Sequence, residues 1–352
     1  MTDEYEREGE GDGEYRHGHE QGPAADPDVD PEATSDDAVP RPDGGYGTVS
    51  PTEEADVDLD LEGETDAGTE TETETGPVDG LGSGKWYRQL LVVAETEYRL
   101  AIRGRWAIAM TAIFAAFALG LTTFSGSSVS PDGFERTVAS LAVLAVYLVP
   151  LVALAFSYDA VVGREESGWL HTLFALPVDR ALIVVGTTVG RAVVFASAAI
   201  IGFGAAGFFL LREFGLAGFD AYAGFLLATV GLGLAFLSVG VLVSTLVPEK
   251  THALGISLLA WAWFVLVHDL IGLGVIAALD LTDAAVSAML LANPTGIFRA
   301  LVLGSLGAAG DAGFAAVLTE SGLSTSVLAG ALLAWIVLPI ALAAVAVRRR
   351  RL

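Results

Sequence analysis

The sequence of residues 163–180 is GREESGWLHTLFALPVDR. It connects two long apolar segments and is itself too charged to lie within a bilayer. Its spacing predicts a short amphipathic helix that ends at Pro177, with Trp169 and Phe174 on the apolar face. A structured helix in such a connection indicates a surface that a soluble partner moves. The alternative is a loop helix that only caps the ends of the two neighbouring spans.

The first 84 residues differ in composition from the rest of the chain. They contain 27 of the 43 acidic residues but three of the 19 basic ones, so the net charge of −24 belongs entirely to them. Because this segment has little apolar surface to offset the entropy of ordering, we predict a disordered acidic tail over residues 1–84. It lacks the basic start and early apolar run of a signal peptide. The acid-rich, lysine-poor composition is typical of proteins from salt-loving, halophilic microbes.

Residues 85–352 form a second, strongly apolar region, which predicts an all-α membrane domain. Six segments reach the roughly 20 residues with which a helix crosses a hydrocarbon core. They are 106–124, 137–162, 192–211, 221–247, 253–279 and 326–347. A soluble domain of this size would need amphipathic helices that face water, so fully buried soluble helices are a poor alternative. Cysteine is absent, which excludes disulfides, thiolate metal sites and a cysteine nucleophile.

The basic residues predict the orientation of the six spans. If both termini are cytoplasmic, thirteen of the lysines and arginines outside the tail lie on the inner side and three on the outer side. This is the asymmetry of the positive-inside rule. We therefore expect a multi-pass protein of the cell membrane whose N- and C-termini and acidic tail are all cytoplasmic.

Residues 85–103 precede the first span and have helical periodicity. Leu90, Leu91 and Ala94 lie on an apolar face, whereas Arg88 and Arg99 lie on the opposite one. An apolar stripe sustained over four turns predicts an amphipathic helix in the membrane interface. The alternative is a simple extension of the first span.

The fifth predicted span contains two ionisable residues, His268 and Asp269. Ionisable groups at this depth are costly, and they usually face a cavity or a partner group. The pair therefore marks a possible translocation-path or gating site. The alternative is a structural polar contact between two spans, or a position closer to the outer interface.

Between the fifth and sixth spans, Asn293-Pro294 begins a predicted outer interfacial helix. Asn293 is the one asparagine in the chain; asparagine favours the N-cap, and proline favours the first helical position. The following residues, including Phe298 and Arg299, complete an amphipathic pattern. This helix either contacts an extracytoplasmic partner or covers the ends of the spans.

This layout resembles the ABC-2 family of ATP-binding-cassette transporter permeases. The common pattern of that family is an acidic pair followed by Gly, a Leu-rich turn, and Pro before an Asp-Arg ending. The matching residues here are Glu165, Glu166, Gly168, Leu173, Pro177, Asp179 and Arg180. Residues 263–273 and 293–299 further resemble the NosY-type permeases that serve maturation of nitrous oxide reductase. The resemblance extends over residues 85–352 and does not include the acidic tail.

The resemblance implies a non-catalytic permease with no cofactor and no nucleic-acid partner. It would form a homodimer driven by a separate ABC ATPase subunit, beside an extracytoplasmic accessory protein, in assembly of a copper–sulfur site. The expected partner-coupling residues are Glu165, Glu166, Gly168, Trp169, Phe174 and Pro177. Two alternatives remain, an ABC-2 exporter of lipid, polymer or drug, and a membrane scaffold that transports nothing. Three methionines and no cysteine are a poor supply of copper ligands.

Overall fold

A computed structural model of the chain describes residues 86–125, 133–167, 179–279, 282–306 and 323–349. The regular structure of these residues is entirely helical, which confirms the predicted all-α class. The helices are α1 (Trp86–Arg103), α2 (Trp106–Ser125), α3 (Gly133–Ser157), α4 (Val162–Glu166), α5 (Arg180–Phe214), α6 (Phe219–Leu246), α7 (Lys250–Ala262), α8 (His268–Ala278), α9 (Asp283–Leu291), α10 (Pro294–Leu306) and α11 (Thr325–Arg349). The predicted tail lies outside the described residues.

In the described part of the chain, six helical segments are long and apolar enough to cross a membrane, as predicted. They are α2, α3 with α4, α5, α6 with the turn before it, α7 with α8, and α11. Most of these helices begin before the predicted segments, whereas α3 ends at Ser157, before the predicted end at residue 162. Helix α5 has 35 residues, about 52 Å at 1.5 Å per residue. An apolar run marks the part of a helix that suits hydrocarbon, and here the helix continues through polar residues at both ends.

Helices α5 and α6 form the centre of the bundle. Helix α5 packs against α1, α2, α6 and α11, and α6 also packs against α3 and α10. Buried phenylalanines join these helices: Phe114 lies 5.4 Å from Phe203 between ring centroids, and Phe203 lies 5.8 Å from Phe225. Because lipid tails are as apolar as these rings, close packing rather than exclusion from water stabilises such contacts.

Helices α9 and α10 form a bent pair with an angle of 107° between them. Helix α10 begins at Pro294, and the Asn293 side chain accepts a hydrogen bond from the Thr295 amide at 3.0 Å. Its apolar face is buried within the protein, since Ile297 and Phe298 are fully enclosed. The helix therefore packs against α6 and α11, and its location at the outer membrane surface stays a prediction.

Candidate functional site

Two polar clusters lie within this apolar bundle. The Glu97 cluster comprises Glu97, Asp159, Arg164, Arg191 and Lys250. The Asn293 cluster comprises Phe264, His268, Asp269, Asn293, Thr295 and Arg299. The sequence interval from Lys250 to His268 corresponds to about 27 Å of helix, so the clusters lie toward opposite ends of the α7–α8 span. Buried ionisable groups in a membrane bundle are costly and are therefore candidates for function.

The Glu97 cluster begins where α1 packs on α5. The buried stripe of α1 consists of Ala94, Glu97 and Ala101, and Glu97 is 4% exposed. Gly186 and Gly190 of α5 form a small-xxx-small pair that lets the two helices approach closely. A Cβ atom at Gly190 would lie 2.5 Å from both the Ala94 carbonyl oxygen and the Glu97 Cβ. The glycines therefore admit α1 and bring its carboxylate against the bundle.

Two arginines compensate the buried Glu97 carboxylate. Arg164 of α4 forms a close ion pair with it, and Arg191 Nε lies 3.6 Å from its Oε2 atom. Arg164 also donates to the Thr187 hydroxyl at 2.8 Å. A single carboxylate thus links α1 to both α4 and α5.

Asp159 extends the cluster to a third side. Its carboxylate lies 2.9 Å from Arg191 Nη1 and 3.6 Å from Lys250 Nζ, at the start of α7. Arg191 also donates to the Phe156 carbonyl and lies over the Phe156 ring, 5.3 Å from its centroid. The alternating charges of the cluster therefore join α1, the α3–α4 turn, α4, α5 and α7.

The structure describes residues 163–167 and 179–180 of the predicted coupling segment, residues 163–180, and these two ends of the segment are attached to the bundle. At its beginning, the Ser244 hydroxyl accepts the Val161 and Val162 amides at 3.0 and 3.1 Å, which holds the start of α4. Glu166 accepts the Lys250 amide at 2.7 Å and so caps α7. At its end, Asp179 caps α5 by accepting the Ala181 amide at 3.0 Å.

Asp179 also pairs with the C-terminal helix. Arg348 Nη2 lies 2.5 Å from Asp179 Oδ2. The Ala181 amide first, and then Arg348, stabilise the charged form and lower the pKa of Asp179 below its usual value. This exposed pair joins the end of α11 to the start of α5.

Of the expected coupling residues, the structure describes Glu165 and Glu166, which both lie in α4. Gly168, Trp169, Phe174 and Pro177 lie outside the described residues. Glu166 already has a role within the monomer as the cap of α7. Sequence reasoning missed Glu97 and Asp159. The available signal was that Glu97 follows Ala94 by three residues on the stripe predicted to be apolar.

A cavity of about 230 Å³ borders the Glu97 cluster. It lies between α1 and α3, and its wall includes Glu97, Leu100, Trp106, Ala155 and Arg191. The polar part of the wall comes from the ion pairs, and the rest is apolar. Helix α1 is therefore in close contact with α5 at the glycines but separated from α3 by open space.

The Asn293 cluster brings together two sequence stretches that were predicted separately. The α7–α8 span contains a π-helical turn at Trp263–Val267, and the Phe264 carbonyl accepts from Asn293 Nδ2 at 2.9 Å. The same Nδ2 atom lies 3.1 Å from His268 Nδ1 and 3.5 Å from Asp269 Oδ1. The π turn thus offers a carbonyl to the residue that caps α10.

Asp269 is also paired with a cation from α10. Arg299 donates to its Oδ2 atom, and the side chains of Asp269 and Arg299 are 17% and 24% exposed. His268 and Asp269 thus have polar partners on the neighbouring bent pair, and their role in a translocation path or gate stays a prediction. In the described part of the chain, no group of three acidic or histidine residues is arranged to hold a metal ion.

The chain matches the family described as ABC-2 family transporter protein over residues 91–352. It is 35% identical over 276 residues to a protein of Stutzerimonas stutzeri named probable ABC transporter permease protein NosY, with 74% of this chain and 99% of that protein covered. A protein of the same name from Pseudomonas aeruginosa is 33% identical over 268 residues, with 73% of this chain and 97% of that protein covered. The matched region includes both polar clusters.

Proposed function

This chain belongs to the ABC-2 family of transporter proteins and is a multi-pass membrane permease subunit, and we propose that a separate ATPase drives it through residues 163–180. We further propose that it serves a NosY-type system, in which ATP hydrolysis supports maturation of the copper–sulfur site of nitrous oxide reductase. In that system it works as a homodimer with both termini cytoplasmic, beside an extracytoplasmic accessory protein.

The observation that supports coupling is the attachment of the two described ends of residues 163–180. Glu166 and Asp179 fix the two ends to α7 and α5, and Ser244 holds the start of α4. A displacement of this segment by a bound ATPase would therefore pull on several spans together. A segment that only capped its neighbouring spans would have no need of contacts with α7 and α11.

The side chains favour transmission of movement over handling of copper. Soft sulfur ligands suit copper best, and the chain offers three methionines and no cysteine. We infer that the subunit transmits force to its partners or moves a sulfur species, and that copper itself is bound elsewhere in the assembly.

Copurification with the ATPase tests the coupling surface. The double variant Glu165→Gln, Glu166→Gln removes two negative charges that would face a basic partner surface, yet an amide oxygen at 166 still accepts the Lys250 amide. We expect normal membrane abundance, at least tenfold weaker copurification and loss of the ATP turnover stimulated by the permease. The control is Glu95→Gln, an exposed carboxylate on α1. Full copurification and full turnover in the double variant would remove this segment as the coupling site.

The maturation role needs a separate experiment. In a strain that lacks this chain, purified nitrous oxide reductase should lack the absorbance of its copper–sulfur site, and the gene supplied in trans should restore it. If the chain instead exported a lipid, polymer or drug, its deletion would leave the reductase unchanged. If the chain were a scaffold that transports nothing, the gene supplied in trans would restore the copper–sulfur site even in a strain whose partner ATPase carries an inactivating substitution.

A further inference from the structure

The stability of the folded protein does not by itself explain why a carboxylate is buried at position 97. A buried ion pair is often no more stabilising than apolar residues of the same volume, whereas one partner left alone is costly. Here α1 already has its glycine contacts with α5, so an apolar residue at 97 would complete the helix packing. The Glu97 carboxylate instead forms an ion pair between α1 and Arg164 of α4, which lies two positions before Glu166.

Helix α1 also has the features of an element that moves as a unit. The connection to α2 contains Gly104 and Arg105, and Arg105 has a φ of 60°, which is uncommon for a residue with a side chain. The corner between the two helices is therefore a localised bend. On its other side, the cavity of about 230 Å³ separates α1 from α3 and gives α1 space to enter.

We propose that Glu97 is a positioning residue that transmits movement of the coupling segment to α1, which swings about the Gly104–Arg105 corner into the cavity beside α3. When the ATPase displaces the segment, Arg164 moves with α4 and draws the Glu97 carboxylate with it. Arg191 and Asp159 keep the charges compensated during the movement, because Arg191 pairs with both carboxylates. This inference rests on the proposed function, since it names the residue through which that coupling reaches α1.

Thiol crosslinking across the cavity tests the movement directly. Leu100 of α1 and Ala155 of α3 line opposite walls, and the chain has no natural cysteine to interfere. In the complex of the full chain with its ATPase, the variant Leu100→Cys, Ala155→Cys should crosslink with a short bifunctional maleimide. We expect ATP to raise the crosslinking rate at least threefold when Glu97 is present and to leave it unchanged in the added Glu97→Gln variant. Glu95→Gln, on the exposed side of α1, should behave like the parent.

A second variant separates a transmitting role from a structural one. Glu97→Gln alone leaves Arg164 buried beside a neutral group and is expected to lower the thermal stability. Adding Arg164→Gln removes the buried cation as well, so stability should recover, whereas the ATP-dependent crosslinking should stay absent. If both the thermal stability and the ATP-dependent crosslinking recovered, the inference would be wrong, because helix packing alone would then be sufficient to move α1.

The experiments distinguish an error in the proposed function from an error in the role of Glu97. If the ATPase does not copurify with the unsubstituted chain, the proposed function is wrong and this inference falls with it. The proposed function stands if the ATPase binds and hydrolyses ATP. The proposed role of Glu97 is then wrong if ATP does not change the crosslinking rate in the parent, or if ATP still raises that rate in Glu97→Gln.

Discussion

The contact between α1 and α5 at Gly190 gives the sharpest prediction about the fold. In Gly190→Ala, the new Cβ would lie 2.5 Å from the Ala94 carbonyl oxygen and 2.5 Å from the Glu97 Cβ. Neither atom is the end of a flexible side chain, so relief requires α1 to move away by about 1 Å to reach normal van der Waals separation. Overpacking of this kind costs about 1–3 kcal/mol, and we expect the upper half of that range because a change of side-chain rotamer cannot relieve the contact.

A matched control lies in the same helix. A Cβ at Gly204 would have no heavy atom within 4 Å, so Gly204→Ala should change the free energy of unfolding by no more than about 0.5 kcal/mol. Both variants are measured by titrating the purified protein from mild detergent into SDS and following helix content. If Gly190→Ala and Gly204→Ala have equal stability, α1 does not pack on α5 as described, and the geometry assigned to Glu97 is wrong.

Four further outcomes follow from the sequence and the structure. Cysteines introduced near residue 60 and at the C terminus should react with impermeant reagents only from the cytoplasmic side, and labelling of either from outside would reject the six-span topology. A chain that begins at Gly84 should insert and assemble normally, as judged by membrane abundance and detergent gel filtration. Asn293→Ala should cost about 2 kcal/mol in the SDS titration, since it removes the cap of α10 and a donor to the Phe264 carbonyl; an unchanged stability would mean that the bent pair is held by other contacts. Asp179→Asn should slightly lower the melting temperature at neutral pH. The pKa of Asp179 is lowered in the folded protein, so its pairing with Arg348 stabilises at pH values above the ordinary carboxyl pKa, and the difference from the parent should vanish as the pH falls through the folded pKa.

The sequence was sufficient for the parts of the fold that depend on local composition. Apolar runs near the length of a bilayer predicted six spans, because a helix that crosses hydrocarbon needs about 20 predominantly apolar residues. The same reasoning placed the start of α5 too late, at residue 192, and its end slightly too early, at residue 211. Apolar residues mark the part of the helix that suits hydrocarbon, whereas the helix itself extends from Arg180 to Phe214.

The candidate site was less predictable because its contacts join residues far apart in the chain. Asn293 and His268 were both identified, but nothing local indicates that a π turn presents the Phe264 carbonyl between them. Glu97 was missed for a related reason. A helical wheel places one carboxylate on an apolar stripe, and its partners Arg164 and Arg191 become apparent only when Gly190 brings α1 against α5.

An ATPase that drives this permease through residues 163–180 must bind those residues. Electron cryo-microscopy of the full chain bound to its ATPase in lipid nanodiscs would show the contact. We expect a homodimer in which Trp169 and Phe174 are buried against each ATPase subunit, and in which Glu97 remains paired with Arg164. If the ATPase instead contacts other parts of the chain and leaves residues 163–180 facing solvent, these residues do not couple ATP hydrolysis to the permease.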